Sequence, residues 1–340
     1  MNKTEMVELT NMVEPLVQNS ITAAKKLTGA VAHATEAVTA KYKKEMTLRK
    51  RYFNTIQELK GNIRVFVRVR RDSNLTGKPV AIAASETEVS IRNLNETKLP
   101  KIMEFSRVYG LEAEQDEVFT HTKDTVMSVV DGFNVCIMAY GQTGSGKTWT
   151  MTGPENNPGV NRRAINELFA LLDAQKQDVS FKIEASQVEV YNEGIYDLLS
   201  SKDRAETKIK PRQIKAVCDL PNLVWRDVIT TEDVARVMAD GDRNRSTAST
   251  AMNVSSSRSH LIFQLKVATT NKISGAKTSG MLTLVDLAGS ERVQKSNVSG
   301  QGLVEAAAIN KSLSALGMVF QSLVSTITSP IRAVVLCVCV

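Results

Sequence analysis

The run Gly141-Gln142-Thr143-Gly144-Ser145-Gly146-Lys147-Thr148 has the residue types and spacing to hold a phosphate chain. Glycines let a backbone curl until its N–H groups point at one anion. Lys147 would place a charge on the β and γ phosphates of a nucleoside triphosphate, and the Thr148 hydroxyl is a natural magnesium ligand. A second segment, Asp286-Leu287-Ala288-Gly289, ends the apolar run Met281–Val285. An acidic residue at the end of such a strand is where a P-loop nucleotidase holds its magnesium shell. Gly289 can offer its N–H to the γ-phosphate. Alone, Asp-x-x-Gly reads as a turn; beside a P-loop it reads as the second half of a site. A third segment, Asn253 to His260, combines Ser256, Ser257 and Ser259 with Arg258. Its serines could bind phosphate, magnesium or an attacking water, and Arg258 could pair with a carboxylate. By itself that run reads as a flexible loop.

These groups need a rigid frame. Ile63–Val69 alternates apolar and polar, as a half-buried strand does. Asn134–Tyr140 is a mostly apolar strand leading into the glycine-rich loop, with a helix expected from Lys147, whose N-terminal dipole would favour an anion. Leu261–Val267 alternates again, and Met281–Val285 is a short apolar strand. Strands alternating with helices predict a layered α/β domain. Residues 1–60 differ: they are rich in Ala, Glu, Lys and Leu, with Gly29 and Pro15 as the exceptions. A helix is expected beyond Pro15, ending near Lys60 at Gly61. Its heptad seam, Leu16, Ser20, Ala23, Leu27, Ala30, Ala34 and Ala37, is rich in alanine. It allows either a coiled coil or a helix lying on a neighbouring surface. The domain reading is therefore a helical neck over 1–60 and an α/β domain over 61–340.

The 340 residues are 42% apolar and 23% charged, an ordinary globular composition. The net charge of +7 favours acidic partners, whether nucleic acid, anionic membrane or an acidic protein surface. The cysteines Cys136, Cys218, Cys337 and Cys339 have neither metal spacing nor a disulfide pattern, which fits a reducing compartment. The N-terminus lacks the apolar core of a signal peptide. No uninterrupted apolar run reaches the ~18 residues of a spanning helix, so no membrane partner is expected.

Taken together, AYGQTGSGKTWTM, NVSSSRSH, LVDLAGSER and INKSLSALG resemble the signatures of a kinesin motor domain, in the family's order. EFSRVYG, VEVYNEGIYDLL and GDRNRSTASTAMN extend the resemblance. TLRKRYFNTIQELKGNIRVFVRVR resembles the kinesins with a C-terminal motor, in which a neck helix enters the motor from its N-terminal side. The resemblance implies a P-loop NTPase of the kinesin type, a central mixed β-sheet flanked by helices on both faces and preceded by an N-terminal helix. It implies ATP and Mg2+ as ligands and microtubules as the partner, with movement toward the minus end. A homodimer or an accessory chain would pair through the N-terminal helix. A place in the cytoplasm on the cytoskeleton, including the spindle, goes with that reading.

Position by position, Lys147 and Thr148 match the P-loop lysine and magnesium ligand. Ser256, Ser257 and Arg258 match the first switch; Asp286, Gly289 and Glu291 match the second. The family pairs the switch arginine with the switch glutamate to close the site, so Arg258 is expected on Glu291. Magnesium would be shared by Thr148, Ser257 and Asp286. Tyr140 matches a residue stacked near adenine, and Arg68 and Arg70 match the adenine motif of the first strand. The microtubule face would run from Glu291 to Phe320, with Arg292, Lys295 and Lys311, assisted by Lys208, Lys210, Arg212 and Lys215.

The sequence also departs from the pattern. Arg71 stands where the family has an adenine-packing proline, and Asn161-Arg162-Arg163 replaces a more apolar stretch. Pro330-Ile331-Arg332 resembles the family's Pro-Tyr-Arg, but no helix sequence follows. The family continues with a microtubule-binding helix, a core strand and a last helix. All three are expected to be missing, leaving open sheet edges that the tail 333–340 does not fill. The competing readings are a non-motile microtubule tether with a retained pocket, and an incomplete motor. A signalling GTPase is disfavoured, because Asn310-Lys311-Ser312-Leu313 lacks the guanine-reading aspartate. A nucleic-acid motor suits the charge but not the switch segments.

Overall fold

The computed structural model describes residues 3–70, 80–92, 99–202, 204–214, 217–252, 256–291, 301–325 and 331–339. The chain divides into two compact units, 1–55 and 56–340.

The first unit is the body of helix α1 (Lys3–Leu59). The helix begins well before Pro15, which lies inside it rather than in its first turn. Proline there removes one backbone hydrogen bond, and the flanking helix formers outweigh that loss. Met6, Val13, Leu16 and Leu27 are exposed along it. The last turn of α1 belongs to the second unit. Gln57 is buried there, and its side-chain oxygen accepts a 2.6 Å hydrogen bond from Arg64.

The second unit is built on one sheet. Its strands are β1 (Ile63–Val69), β5 (Arg107–Tyr109), β6 (Asn134–Tyr140), β7 (Val179–Tyr191), β8 (Gly194–Asp197), β9 (Lys208–Ile209), β12 (Arg226–Val228), β13 (His260–Asn271), β14 (Lys277–Asp286) and β15 (Ile331–Cys339). Their order is β5-β1-β15-β6-β14-β13-β7-β8-β9, with β12 also on β7. The half from β5 to β14 is parallel and the half from β14 to β9 is antiparallel, so the sheet is mixed. Two small sheets lie apart: β2 (Ala81–Ala83), β3 (Glu88–Ile91) and β4 (Lys101–Glu104) form one, and β10 (Arg212–Ile214) with β11 (Val217–Asp219) the other.

The central strands are apolar on both faces, as a sheet covered on two sides requires. Val135, Ile137 and Ala139 of β6 and Val334 and Leu336 of β15 pack in one core. That core includes Val126 of α2 (Gln115–Val130), Leu168 of α4 (Val160–Ala174) and Val234 of α5 (Thr231–Met252). Met138 and Val335, on the other face, pack against Leu313, Leu316 and Phe320 of α6 (Gln301–Ser325). The short helix α3 (Lys147–Met151) follows the glycine-rich loop at the end of β6.

One expectation is corrected. The core strand is not missing: Ala333–Cys339 lies inside the sheet, parallel to both β1 and β6, with Val334 facing Arg64 and Ile137. Ala333, Val334, Val335 and Leu336 are all buried. A gap between two parallel strands accepts any segment apolar on both faces, and this tail is one. The link from α6 to β15 spans only 326–330, too short for the helix the family places there. Gly302–Leu323 in α6 has a mean hydropathy of 1.3 and is long and apolar enough to cross a membrane, although Glu305 and Lys311 interrupt it.

Candidate nucleotide site

The carboxyl ends of β6, β13 and β14 bring the chemistry-bearing segments together. After β6 the chain turns through Gly146, whose φ of 105° is open to glycine and strained for other residues. Lys147 is buried, and its Nζ donates to the carbonyls of Gly141 at 3.0 Å and Gln142 at 2.9 Å. Burial lowers its pKa, and Asp286 and Glu291 oppose that shift. Helix α3 is short, so the backbone N–H groups of the loop outweigh any helix dipole in attracting an anion.

Asp286, the last residue of β14, meets this loop. Thr148 Oγ1 donates to its Oδ2 at 2.7 Å. Its Oδ1 is buried with no hydrogen-bond partner. Burial raises its pKa against the pull of Thr148 and Lys147. A buried carboxylate oxygen without a donor is costly. A divalent cation shared with Thr148 would satisfy it, so the residues present fit magnesium.

The second switch segment lies on the loop. Ser290 N donates to Gly141 O at 3.1 Å, and Gly289 N donates to Ser257 O at 3.0 Å. The N–H read as a γ-phosphate donor thus serves the first switch here. A Cβ on Gly289 would come within 2.2 Å of Thr143 Oγ1 and of Glu291 Oε2, so a larger residue there would have to displace the Thr143–Glu291 pair. Glu291 accepts from Thr143 N at 2.9 Å and Thr143 Oγ1 at 2.6 Å. Burial raises its pKa, but those two bonds outweigh it and the net shift is downward.

The first switch begins with a 3-10 turn, Ser256–Arg258. Ser257 sits beside Gly289 through its carbonyl; the Ser256 side chain lies outside the described residues. Arg258 is not on Glu291. It donates instead to Glu305 Oε2 of α6 at 2.5 Å, and Tyr191 OH donates to Glu305 Oε1 at 2.7 Å. The sequence offers several carboxylates to one arginine, and the fold selects the one beside Tyr191. His260 completes this region. Ala288 N donates to its Nδ1 at 3.0 Å, so Nε2 carries the proton, 2.8 Å from Ser312 Oγ. Burial, then Arg245 and Lys147, push its pKa down to about 4.

Beside Gly146 a cavity of about 420 Å³ is lined by Arg68, Arg70, Leu111, Ala113, Trp149 and Thr150, among others. Arg68 is fixed by Gln115 Oε1 at 2.7 Å, Thr150 Oγ1 at 3.2 Å and Ala113 O at 3.0 Å. Arg70 donates to Gly144 O. Ser145 also lines the cavity, with its hydroxyl buried and unpartnered. Tyr140 does not line it. Sequence reasoning missed Trp149, Leu111 and Gln115. Trp149, an exposed tryptophan directly after the loop, was the available signal.

Other expected residues lie apart. Arg71, Lys215, Arg292 and Lys295 fall outside the described residues. Lys311 pairs with Glu193, both exposed. Lys208 is in β9, Lys210 follows it and Arg212 opens β10, all exposed. In the departing stretch 161–163, Arg163 is held by Asp116 and by Pro158 O at 2.9 Å. Among the described residues no group of three His, Cys, Asp or Glu forms a metal cluster. Cys136 is half-buried, and loss of solvent around its thiol pushes the pKa up to about 12.

With this geometry in place, comparison with known proteins is decisive. A profile of the kinesin motor domain matches residues 49–335. The chain belongs to the kinesin motor family. Kinesin-like protein KIN-14I of rice (Oryza sativa subsp. japonica) is 44% identical over 287 residues, 84% of this chain and 23% of that protein. Kinesin-like protein klp-3 of Caenorhabditis elegans is 42% identical over 288 residues, 83% of this chain and 48% of that protein. The chain thus spans less than half the length of these relatives. Among solved structures, the C-terminal motor and motor homology domain of Kar3Vik1, fused to a synthetic heterodimeric coiled coil, superposes with a TM-score of 0.76 at 29% identity. That match covers 97% of this chain and 93% of that one. A kinesin motor domain binds nucleotide with Mg2+.

Proposed function

We propose that this chain hydrolyses ATP in response to microtubules and moves toward their minus ends. The observation that carries the reading is the meeting of Lys147, Thr148, Asp286 and Glu291 around one loop, from segments far apart in sequence. Lys147 would neutralise the β- and γ-phosphate oxygens. Thr148 and Asp286 would hold Mg2+, with Ser257 reaching it once the first switch closes; when bound, the ion withdraws charge from the phosphate oxygens. Arg258 and Glu291 would pair across the γ-phosphate and orient the attacking water. Arg68, Arg70 and the Trp149 side of the cavity would hold the base and ribose.

Both relatives are kinesin-like proteins, the rice one named KIN-14I; the direction is taken from the resemblance of the neck sequence to the kinesins with a C-terminal motor. Helix α1 runs directly into β1, the arrangement of a motor entered from its N-terminal side. Its heptad residues Leu16 and Leu27 are exposed and suit a second helix, from another copy or an accessory chain. We place α6 and its flanks, with Lys311, on the microtubule. The missing helix between α6 and β15 removes part of that face, so attachment should be weaker than in a full motor. A cytoskeletal location follows from such attachment.

Pelleting with microtubules in a non-hydrolysable ATP analogue, with duplex DNA as the control polymer, tests the partner. Nucleotide-dependent pelleting with microtubules alone is expected. Pelleting with DNA but not microtubules would overturn the reading.

A further inference from the structure

Both members of the expected Arg258–Glu291 pair are engaged elsewhere. Glu291 is held by Thr143, and Arg258 by Glu305. The two ends of the Arg258–Glu305 pair differ in exposure. The Glu305 side chain is 4% accessible and that of Arg258 is 40%. Arg258 can therefore leave and be solvated by water. Glu305 cannot: without Arg258 its buried carboxylate keeps Tyr191 OH alone. A buried charge that loses a partner is costly, so the penalty for releasing Arg258 falls on Glu305.

We propose that Glu305 is a positioning residue that competes with Glu291 for Arg258, so that the first turns of α6 set how readily the switch closes. The inference rests on the hydrolase reading above. The same helix carries the exposed Lys311, Leu303 and Val304. A filament drawing α6 outward lifts Glu305 from Tyr191 and Arg258 and removes the competitor. Closure then depends on the position of a helix rather than on the nucleotide alone.

The test compares the parent chain with Glu305→Gln and Glu305→Asp. Glutamine keeps the shape and an acceptor for Tyr191 but loses the charge that holds Arg258. Aspartate keeps the charge, set back by one methylene. Without microtubules, Glu305→Gln should raise ATP turnover roughly fivefold, while the microtubule-saturated rate changes less than about twofold. Glu305→Asp should fall between, and it carries the test if the glutamine variant does not fold. Hydrogen exchange without nucleotide supplies a readout independent of turnover: amides of 256–260 should exchange faster in Glu305→Gln. A parent chain with no turnover would refute the hydrolase reading, and the exchange data would then decide whether Glu305 anchors the segment. An active parent whose variants match it in basal rate and exchange would overturn the proposal. Equal losses of basal and stimulated rate would assign Glu305 a purely structural role and overturn it as well.

Discussion

Among the described residues, Lys147 donates only to neutral carbonyls of its own loop. A phosphate chain therefore displaces weak acceptors and gains a charge-assisted pair. Lys147→Ala should weaken binding of a fluorescent ATP analogue by roughly a hundredfold, equivalent to one or two charged hydrogen bonds. Unchanged affinity would remove the lysine from the site. Glu291→Ala should act differently. It frees Thr143 N–H for an incoming anion and deletes the proposed partner of Arg258. Binding should hold or tighten while turnover falls by roughly a hundredfold or more. Normal turnover in this variant would show that Glu291 is no latch. Lys147, Thr148 and Asp286 were legible in the sequence because their roles are local: a loop, a hydroxyl beside it, an acid at a strand end. The partners of Arg258 and Glu291 were not. Partner choice for a long charged side chain is a tertiary matter, decided by Tyr191 and Thr143 on other elements. Tyr140 was placed by resemblance alone; it is exposed and does not line the cavity beside Gly146.

The sheet depends on β15. With Val334 and Leu336 in one core and Val335 in the other, it joins β1 to β6 and thereby sets the strand that leads to the P-loop. Leu336→Ala should cost roughly 2–5 kcal/mol in urea unfolding, the usual range for a buried leucine. Deleting 331–340 should abolish cooperative unfolding; a deletion variant that unfolds like the parent would restore the view that the tail is dispensable. The tail was misread because its predecessor helix was absent, and connectivity was allowed to outweigh composition. Its alternation-free apolar run was the correct signal for a central parallel strand. His260 ties β13 to the end of β14 and to α6, and it is neutral when folded. Its folded pKa lies near 4, below the unfolded value of 6.5. Its contribution is therefore present above pH 6.5 and lost as pH falls from 6.5 toward 4, at most about 3 kcal/mol. His260→Gln should flatten the pH dependence of Tm across that window. An unchanged slope would assign the dependence to other groups.

At the scale of the molecule, the proposed attachment to an acidic filament would give the net charge of +7 a use. Exposed lysines such as Lys208 and Lys311 are screened over ~8 Å at physiological ionic strength. Co-sedimentation with microtubules should weaken steeply as salt rises, and salt-independent pelleting would point to an apolar contact instead. The α/β class was readable from period and composition; the strand order was not, because it depends on pairings between segments far apart in sequence. The central claim is that one loop, one strand end and two switch segments form a nucleotide engine answerable to microtubules. Steady-state ATPase of the 340-residue chain, with and without microtubules and beside Lys147→Ala, tests it most directly. The account predicts turnover that needs Lys147 and rises, saturably, with microtubule concentration. Turnover indifferent to microtubules, or surviving in Lys147→Ala, would contradict it.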